Sequence, residues 1–139
     1  MTRLVVDATR ILSALLKDGS TRAAILETDA ALFAPDYLKA EVALHLPEIA
    51  RRVGVTPDAL SIILGPLLQR IEWVGGEAYA PYLPRAREAL GAIDPKDVPY
   101  LACALSVEAD AIWSLDLHFD RQKLVPRVPH PDAKVPKRV

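Results

Sequence analysis

The chain has 139 residues, 51% hydrophobic and 25% charged, the composition of one globular domain able to bury a core and not of a disordered chain. A formal net charge of −1 excludes a protein that grips nucleic acid by bulk charge alone. No apolar run reaches the roughly 18 residues that cross a bilayer, so no membrane partner is expected.

Leu4-Val5-Val6 is a short apolar run that predicts a buried strand, ended by Asp7. Ile11, Leu12, Leu15 and Leu16 then recur at helical spacing, and Gly19 stops that helix. Ser20 is the expected cap of a second helix reaching Glu27, with Ala24 and Ile25 inward. Ala31-Leu32-Phe33-Ala34 predicts a second strand closed by Pro35, and Asp36 the cap of a helix whose Leu38, Val42, Leu46 and Ile49 share a face. Pro47 is expected to kink that helix or to end its first half. Thr56-Pro57 is a start signal, a hydroxyl cap with proline at the first helical position, and the helix it opens carries Leu60, Ile63, Leu64, Leu67 and Leu68.

Ile71-Glu72-Trp73-Val74 before a Gly75-Gly76 turn predicts a third strand, followed by a helix around residues 85–92. Asp94-Pro95-Lys96-Asp97 opens another helix, so apolar through Leu101, Ala102 and Leu105 that deep burial is expected. Ala111-Ile112-Trp113-Ser114 predicts a fourth strand ended by Leu115-Asp116, and a fifth is placed near residues 124–128. Short apolar strands separated by helices predict an α/β fold with a mostly parallel sheet covered on both faces. In such sheets ligands bind beyond the carboxyl ends of the strands.

Charge is unevenly spread. From residue 121 onward Arg121, Lys123, Arg127, Lys134, Lys137 and Arg138 face only Asp132, so this stretch carries +5 and the remainder −6. A basic tail suits a polyanion substrate, and a solvated terminus explains it equally well. Its prolines predict an extended segment, assigned to residues 129–139 after a domain of residues 1–128. The lone Cys103 forms neither an internal disulfide nor a thiolate metal site. Asp7 stands where a signal peptide would continue its apolar stretch, and a cytoplasmic location is expected.

Asp7 directly follows the first predicted strand and Asp116 the fourth, which puts both at carboxyl ends on one sheet edge. Glu41 lies in the second turn of the helix after the second strand, near the same edge. Asp97 is harder to place, because a helix leading into a strand normally begins at the far end. Each acid also has a purely structural reading: Asp7 as a helix cap, Glu41 as a solvated helix residue, Asp97 as a dipole partner in a cap led by Asp94, Asp116 as a turn residue. Their joint placement favours a site. Clustered carboxylates repel one another unless a cation sits among them. Oxygen ligands without Cys or a His cluster select Mg2+ or Mn2+ over zinc. Two such ions about 4 Å apart can activate a water and stabilise the leaving oxygen of a phosphodiester. No glycine-rich phosphate loop is present.

Four segments resemble the PIN domain (PilT N-terminus-like, VapC-type), a family of metal-dependent ribonucleases. They are Leu4-Val5-Val6-Asp7-Ala8, Ala34-Pro35 with Tyr37-Leu38 and Glu41, the stretch from Asp94 to Ala102, and Ile112-Trp113-Ser114-Leu115-Asp116. The resemblance runs from residue 4 to about residue 120. It implies a three-layer, flavodoxin-like fold with about five strands, and it supplies the edge placement of Asp97 that strand order leaves open. It further implies that Asp7, Glu41, Asp97 and Asp116 are the metal-binding and catalytic acids. Ser114 matches a Thr or Ser position that bonds an acid or a substrate phosphate, and Thr9 a position often Asn or Ser. Two departures affect a second ion: Leu115 replaces a small or polar residue, and His118 replaces an acid, with Asp120 as a substitute two residues on.

His118 is a candidate proton shuttle or phosphate contact, against the reading of an exposed turn residue. Arg10 is a candidate contact to RNA phosphate or a partner for a carboxylate. His45, four residues after Glu41, is expected to be an interior or boundary histidine, and Trp73 and Trp113 core residues. The function expected from the resemblance is a metal-dependent endoribonuclease acting on single-stranded RNA. Expected partners are an antitoxin protein, if the chain is the toxin of a toxin–antitoxin pair, and a second copy of the chain. The alternatives are a non-catalytic RNA- or protein-binding PIN-like module, and a receiver-like phosphoacceptor domain, for which Asp116 lacks the context.

Overall fold

In a computed structural model, which describes residues 1–16 and 19–136, five parallel strands form one sheet. They are β1 (Arg3–Val6), β2 (Ala31–Pro35), β3 (Ile71–Val74), β4 (Ala111–Trp113) and β5 (Arg127–Val128), in the order β3-β2-β1-β4-β5. The sheet is doubly wound, but this order departs from the 2-1-3-4-5 of flavodoxin and matches the first five strands of the dinucleotide-binding type. The chain reverses its direction of travel across the sheet between β1 and β4, which makes that junction the topological switch point.

Helices α1 (Ala8–Leu16), α2 (Ser20–Glu27), α3 (Tyr37–Val53) and α4 (Pro57–Gln69) pack on one another as one outer layer. The other layer holds α5 (Gly76–Tyr79), α6 (Leu83–Leu90) and α7 (Val98–Ser106), with α7 lying across β2, β1 and β4. The predicted burial of α7 is observed: Val98, Tyr100, Leu101, Ala102, Cys103 and Ala104 are all buried. Leu4, Val5, Val6, Ala111, Ile112 and Trp113 are likewise shut off from solvent, as strands covered on both faces require. Trp113 donates its indole N–H to the Pro129 carbonyl, while Trp73 is half-buried beneath the Lys39 ammonium. Among the described residues, no helix is long and apolar enough to cross a membrane.

Several local expectations change. Gly19, at φ 102°, is the N-cap of α2 and Ser20 its first helical residue. The Asp36 carboxylate makes no cap bond to α3; it accepts from the Gly76 N–H at 3.1 Å and the Tyr79 hydroxyl at 2.9 Å, tying the β2–α3 turn to α5 at the carboxyl edge. Helix α3 continues through Pro47, which lies on its exposed face, where water can satisfy the carbonyl left without a donor. Thr56 caps α4 as its sequence predicts, accepting from the Ala59 N–H at 3.1 Å. Gly76 opens α5 where a simple turn is expected.

The segment after β5 has no helix or strand through residue 136, yet it lies on the domain rather than in solvent. Pro131 is buried, and Ala133 and Val135 pack against the core. Lys137 and Arg138, two cations of the expected basic tail, lie outside the described residues.

Candidate metal centre

The first site residues are fixed by the β1–β4 pairing. Val6 and Trp113 are in register, and the Asp7 N–H donates to the Trp113 carbonyl at 3.1 Å. Asp7 and Ser114 therefore leave the sheet side by side at the switch point. The buried Ser114 hydroxyl donates to Asp7 Oδ2 at 2.6 Å and accepts from the Asp116 N–H at 2.9 Å, so one side chain links the ends of both strands. The Thr9 hydroxyl adds a second bond to Asp7 Oδ2 at 2.7 Å. Burial raises the Asp7 carboxyl above its usual range, against the pull of these hydroxyls.

Glu41 approaches from α3, and the buried Tyr100 hydroxyl on α7 donates a short hydrogen bond to its Oε1. Helices from the two outer layers thus meet over the edge of the sheet. Burial also raises the Glu41 carboxyl.

Asp97 reaches the same place, contrary to the expectation from strand order, because β4 is parallel to β3 and α7, the helix that leads into it, starts at the carboxyl edge and ends at the amino edge. Asp94 caps a short 3-10 turn, Pro95–Asp97, by accepting from the Lys96 N–H at 3.0 Å, and α7 then runs back beneath the sheet. Asp97 is buried, and its Oδ2 has no hydrogen-bond partner. Burial, then the charges of Asp116, Asp94, Asp7 and Glu41, push its carboxyl up to about 8.

Asp7, Thr9, Glu41, His45, Asp94, Lys96, Asp97, Tyr100 and Asp116 line a cleft of about 160 Å3. All four predicted acids are in it. Sequence reasoning missed Asp94, assigned to capping alone, together with Lys96 and Tyr100. The capping assignment is right for one oxygen of Asp94, while the other lies 3.3 Å from His118 Nδ1. Two acids three residues apart around Pro95 were the available signal. His118 Nδ1 is also 3.3 Å from Asp116 Oδ1 and 3.8 Å from Asp97 Oδ2, which puts this half-exposed ring on the cluster. His45 is exposed at the rim of the cleft instead of interior.

Three other residues singled out by the sequence are not among those lining the cleft. Asp120 does not stand in for a missing acid: Arg127 clamps both its oxygens at 3.0 Å and donates to the Ser114 carbonyl at 3.1 Å. Leu115 is exposed beside Asp116. Arg10 is buried on α1, bonded to Ser13 at 3.1 Å, with a buried Nε left without a partner. Desolvation lowers its guanidinium and the Asp7 charge opposes that shift.

The acidic cluster fits a metal site. Carboxylate oxygens of Asp94, Asp97 and Asp116 and a ring nitrogen of His118 all lie within 4.8 Å of one another. An unpartnered buried carboxylate oxygen among several acids is a charge arrangement that a divalent cation relieves.

The sequence matches the model of the PIN domain family over residues 5–122. No curated protein sequence matches it significantly. Among solved structures it is similar to a chain in the crystal structure of VapBC2 from Rickettsia felis bound to a DNA fragment from its promoter. That likeness has a TM-score of 0.72 at 15% identity and covers 91% of this chain and 98% of the other, so it speaks for the fold. With one family model accounting for residues 5–122 and the fold it implies present in full, this chain belongs to the PIN domain family.

Proposed function

We propose that the protein is a metal-dependent endoribonuclease that hydrolyses phosphodiester bonds of single-stranded RNA at the cleft over the β1–β4 junction. The observation that carries this reading is the convergence of Asp7, Glu41, Asp97 and Asp116 on one cleft, with the Asp97 Oδ2 buried and unpartnered. Asp7, Glu41, Asp97 and Asp116 would hold Mg2+ or Mn2+. Once bound, such an ion would supply an activated water and a counter-charge for the leaving oxygen.

The remaining work falls to the chain's own groups. Thr9 and Ser114 hold the Asp7 carboxylate in one rotamer, and Tyr100 does the same for Glu41. Preorganised ligands of this kind reduce the reorganisation that ion binding would otherwise require. Lys96, exposed in the lining of the cleft, offers a phosphate contact.

The decisive experiment incubates the full chain with single-stranded RNA and Mn2+, using Asp7→Asn as control. The expected result is cleavage by the parent and a loss of at least about 100-fold in the variant. Cleavage that persists in Asp7→Asn refutes the site. A parent that neither cleaves RNA nor binds metal refutes the enzyme and favours a PIN-like binding module.

The biological role that fits is the toxin of a cytoplasmic toxin–antitoxin pair, and the fold shared with a VapBC2 chain supports it. Leu44 on α3 and Ile62 and Ile63 on α4 are exposed, and this apolar surface would serve a second copy of the chain. Light scattering on the purified chain tests the dimer.

A further inference from the structure

We propose that His118 is a metal ligand, its Nδ1 joining carboxylate oxygens of Asp94, Asp97 and Asp116, and that this nitrogen donor makes the site select a divalent transition-metal ion over magnesium. The proposal rests on the metal-dependent reading above and deepens it.

Two independent observations meet here. The first is the donor set: His118 Nδ1 lies 3.3 Å from Asp94 Oδ2, 3.3 Å from Asp116 Oδ1 and 3.8 Å from Asp97 Oδ2. The second is the Asp97 side chain, only 8% exposed, whose unpartnered Oδ2 faces that same ring. A buried carboxylate oxygen without a donor, aimed into a ring of three more ligand atoms, is an incomplete set of bonds that an ion completes.

Backbone hydrogen bonds hold the donors in place. Asp94 spends Oδ1 on the Lys96 N–H and keeps Oδ2 toward the histidine. Asp116 caps the 3-10 turn Leu117–Arg121 by accepting from the His118 N–H at 2.9 Å, which folds the imidazole back over the carboxylates. With its proton on Nε2, the ring presents the Nδ1 lone pair to the cluster.

Magnesium is a hard ion that favours oxygen donors and gives up its waters reluctantly. Imidazole favours the later ions, whose affinities rise from manganese through cobalt. One nitrogen among three carboxylates therefore raises affinity for cobalt more than for magnesium. The competing account is an ion pair, in which His118 merely neutralises its acidic neighbours and leaves when a cation arrives.

The test titrates Co2+ and Mg2+ separately by calorimetry into the full chain and into His118→Asn, and records pulsed EPR of the Mn2+-loaded forms. The expected result is a loss of about tenfold or more in Co2+ affinity with Mg2+ changed by less than about twofold. A 14N coupling to Mn2+ should be present in the parent and absent in the variant. The ring is half-exposed, so the fold should survive the change, and circular dichroism checks that. Equal losses for both ions, or no 14N coupling in the parent, overturn the proposal while leaving an RNA-cleaving metal enzyme intact. No binding of any ion at millimolar concentration overturns both readings.

Discussion

Replacing Asp97 by Asn removes a negative charge from the most crowded point of the acidic cluster and leaves the shape of the side chain nearly unchanged. The metal-free protein should become more stable. Asp97 titrates at about 8 in the folded chain against an ordinary value of 3.8. Between those pH values the folded state keeps a proton that the unfolded state has released. Its contribution to stability is therefore complete below about pH 4, declines as pH rises, and is lost above about pH 8. A rise from 3.8 to about 8 sets a ceiling of about 6 kcal/mol at 1.4 kcal/mol per unit. The open cleft and the His118 ring at 3.8 Å screen much of that, which leaves about 1–3 kcal/mol.

The assay is thermal unfolding of parent and Asp97→Asn after chelation, at pH 4 and at pH 8. Little difference is expected at pH 4. At pH 8 the variant should melt about 3–10 °C higher. Adding divalent ion should reverse the order, because the parent gains about 2.7 kcal/mol at one hundred times its dissociation constant and the variant gains little. A variant that is less stable than the metal-free parent at pH 8, or that gains the parent's full ion-induced shift, refutes the charge argument.

Tyr100→Phe deletes the hydroxyl that orients Glu41 from the opposite layer; it should cost about 1–2 kcal/mol and weaken Mn2+ binding about tenfold by calorimetry. Ser114→Ala removes the link between Asp7 and Asp116 in a fully buried position. Denaturant unfolding should show a loss of about 1–3 kcal/mol. Without that donor the Asp7 carboxyl rises further, so the pH midpoint of metal binding should move upward. Asp120→Asn, which disturbs only the Arg127 clamp, should cost no more than about 1 kcal/mol and leave ion affinity unchanged; a large loss of affinity would return Asp120 to the site.

What could be seen in the sequence was set by how local each cause is. The strands β1, β2 and β4 were legible because burial on both faces demands continuous apolar runs, and Asp7 and Asp116 were legible because each follows one of them. Glu41 was legible only as far as its turn of helix, since its partner Tyr100 is 59 residues away. Asp36 looked like a helix cap, but tertiary donors at Gly76 and Tyr79 took its oxygens. The strand order was not legible, because it depends on which face each crossover takes. Asp97 is placed by the sheet and not by any local signal. All strands are parallel, so β3 ends at the carboxyl edge, β4 starts at the amino edge, and the helix that leads into β4 must begin at the carboxyl edge. The turn from Asp94 to Asp97 opens that helix and so arrives opposite Asp7 and Asp116. Parallel pairing thus delivers the carboxylate with the most perturbed titration in the cluster, and the switch point is where the local and the tertiary causes of the site meet.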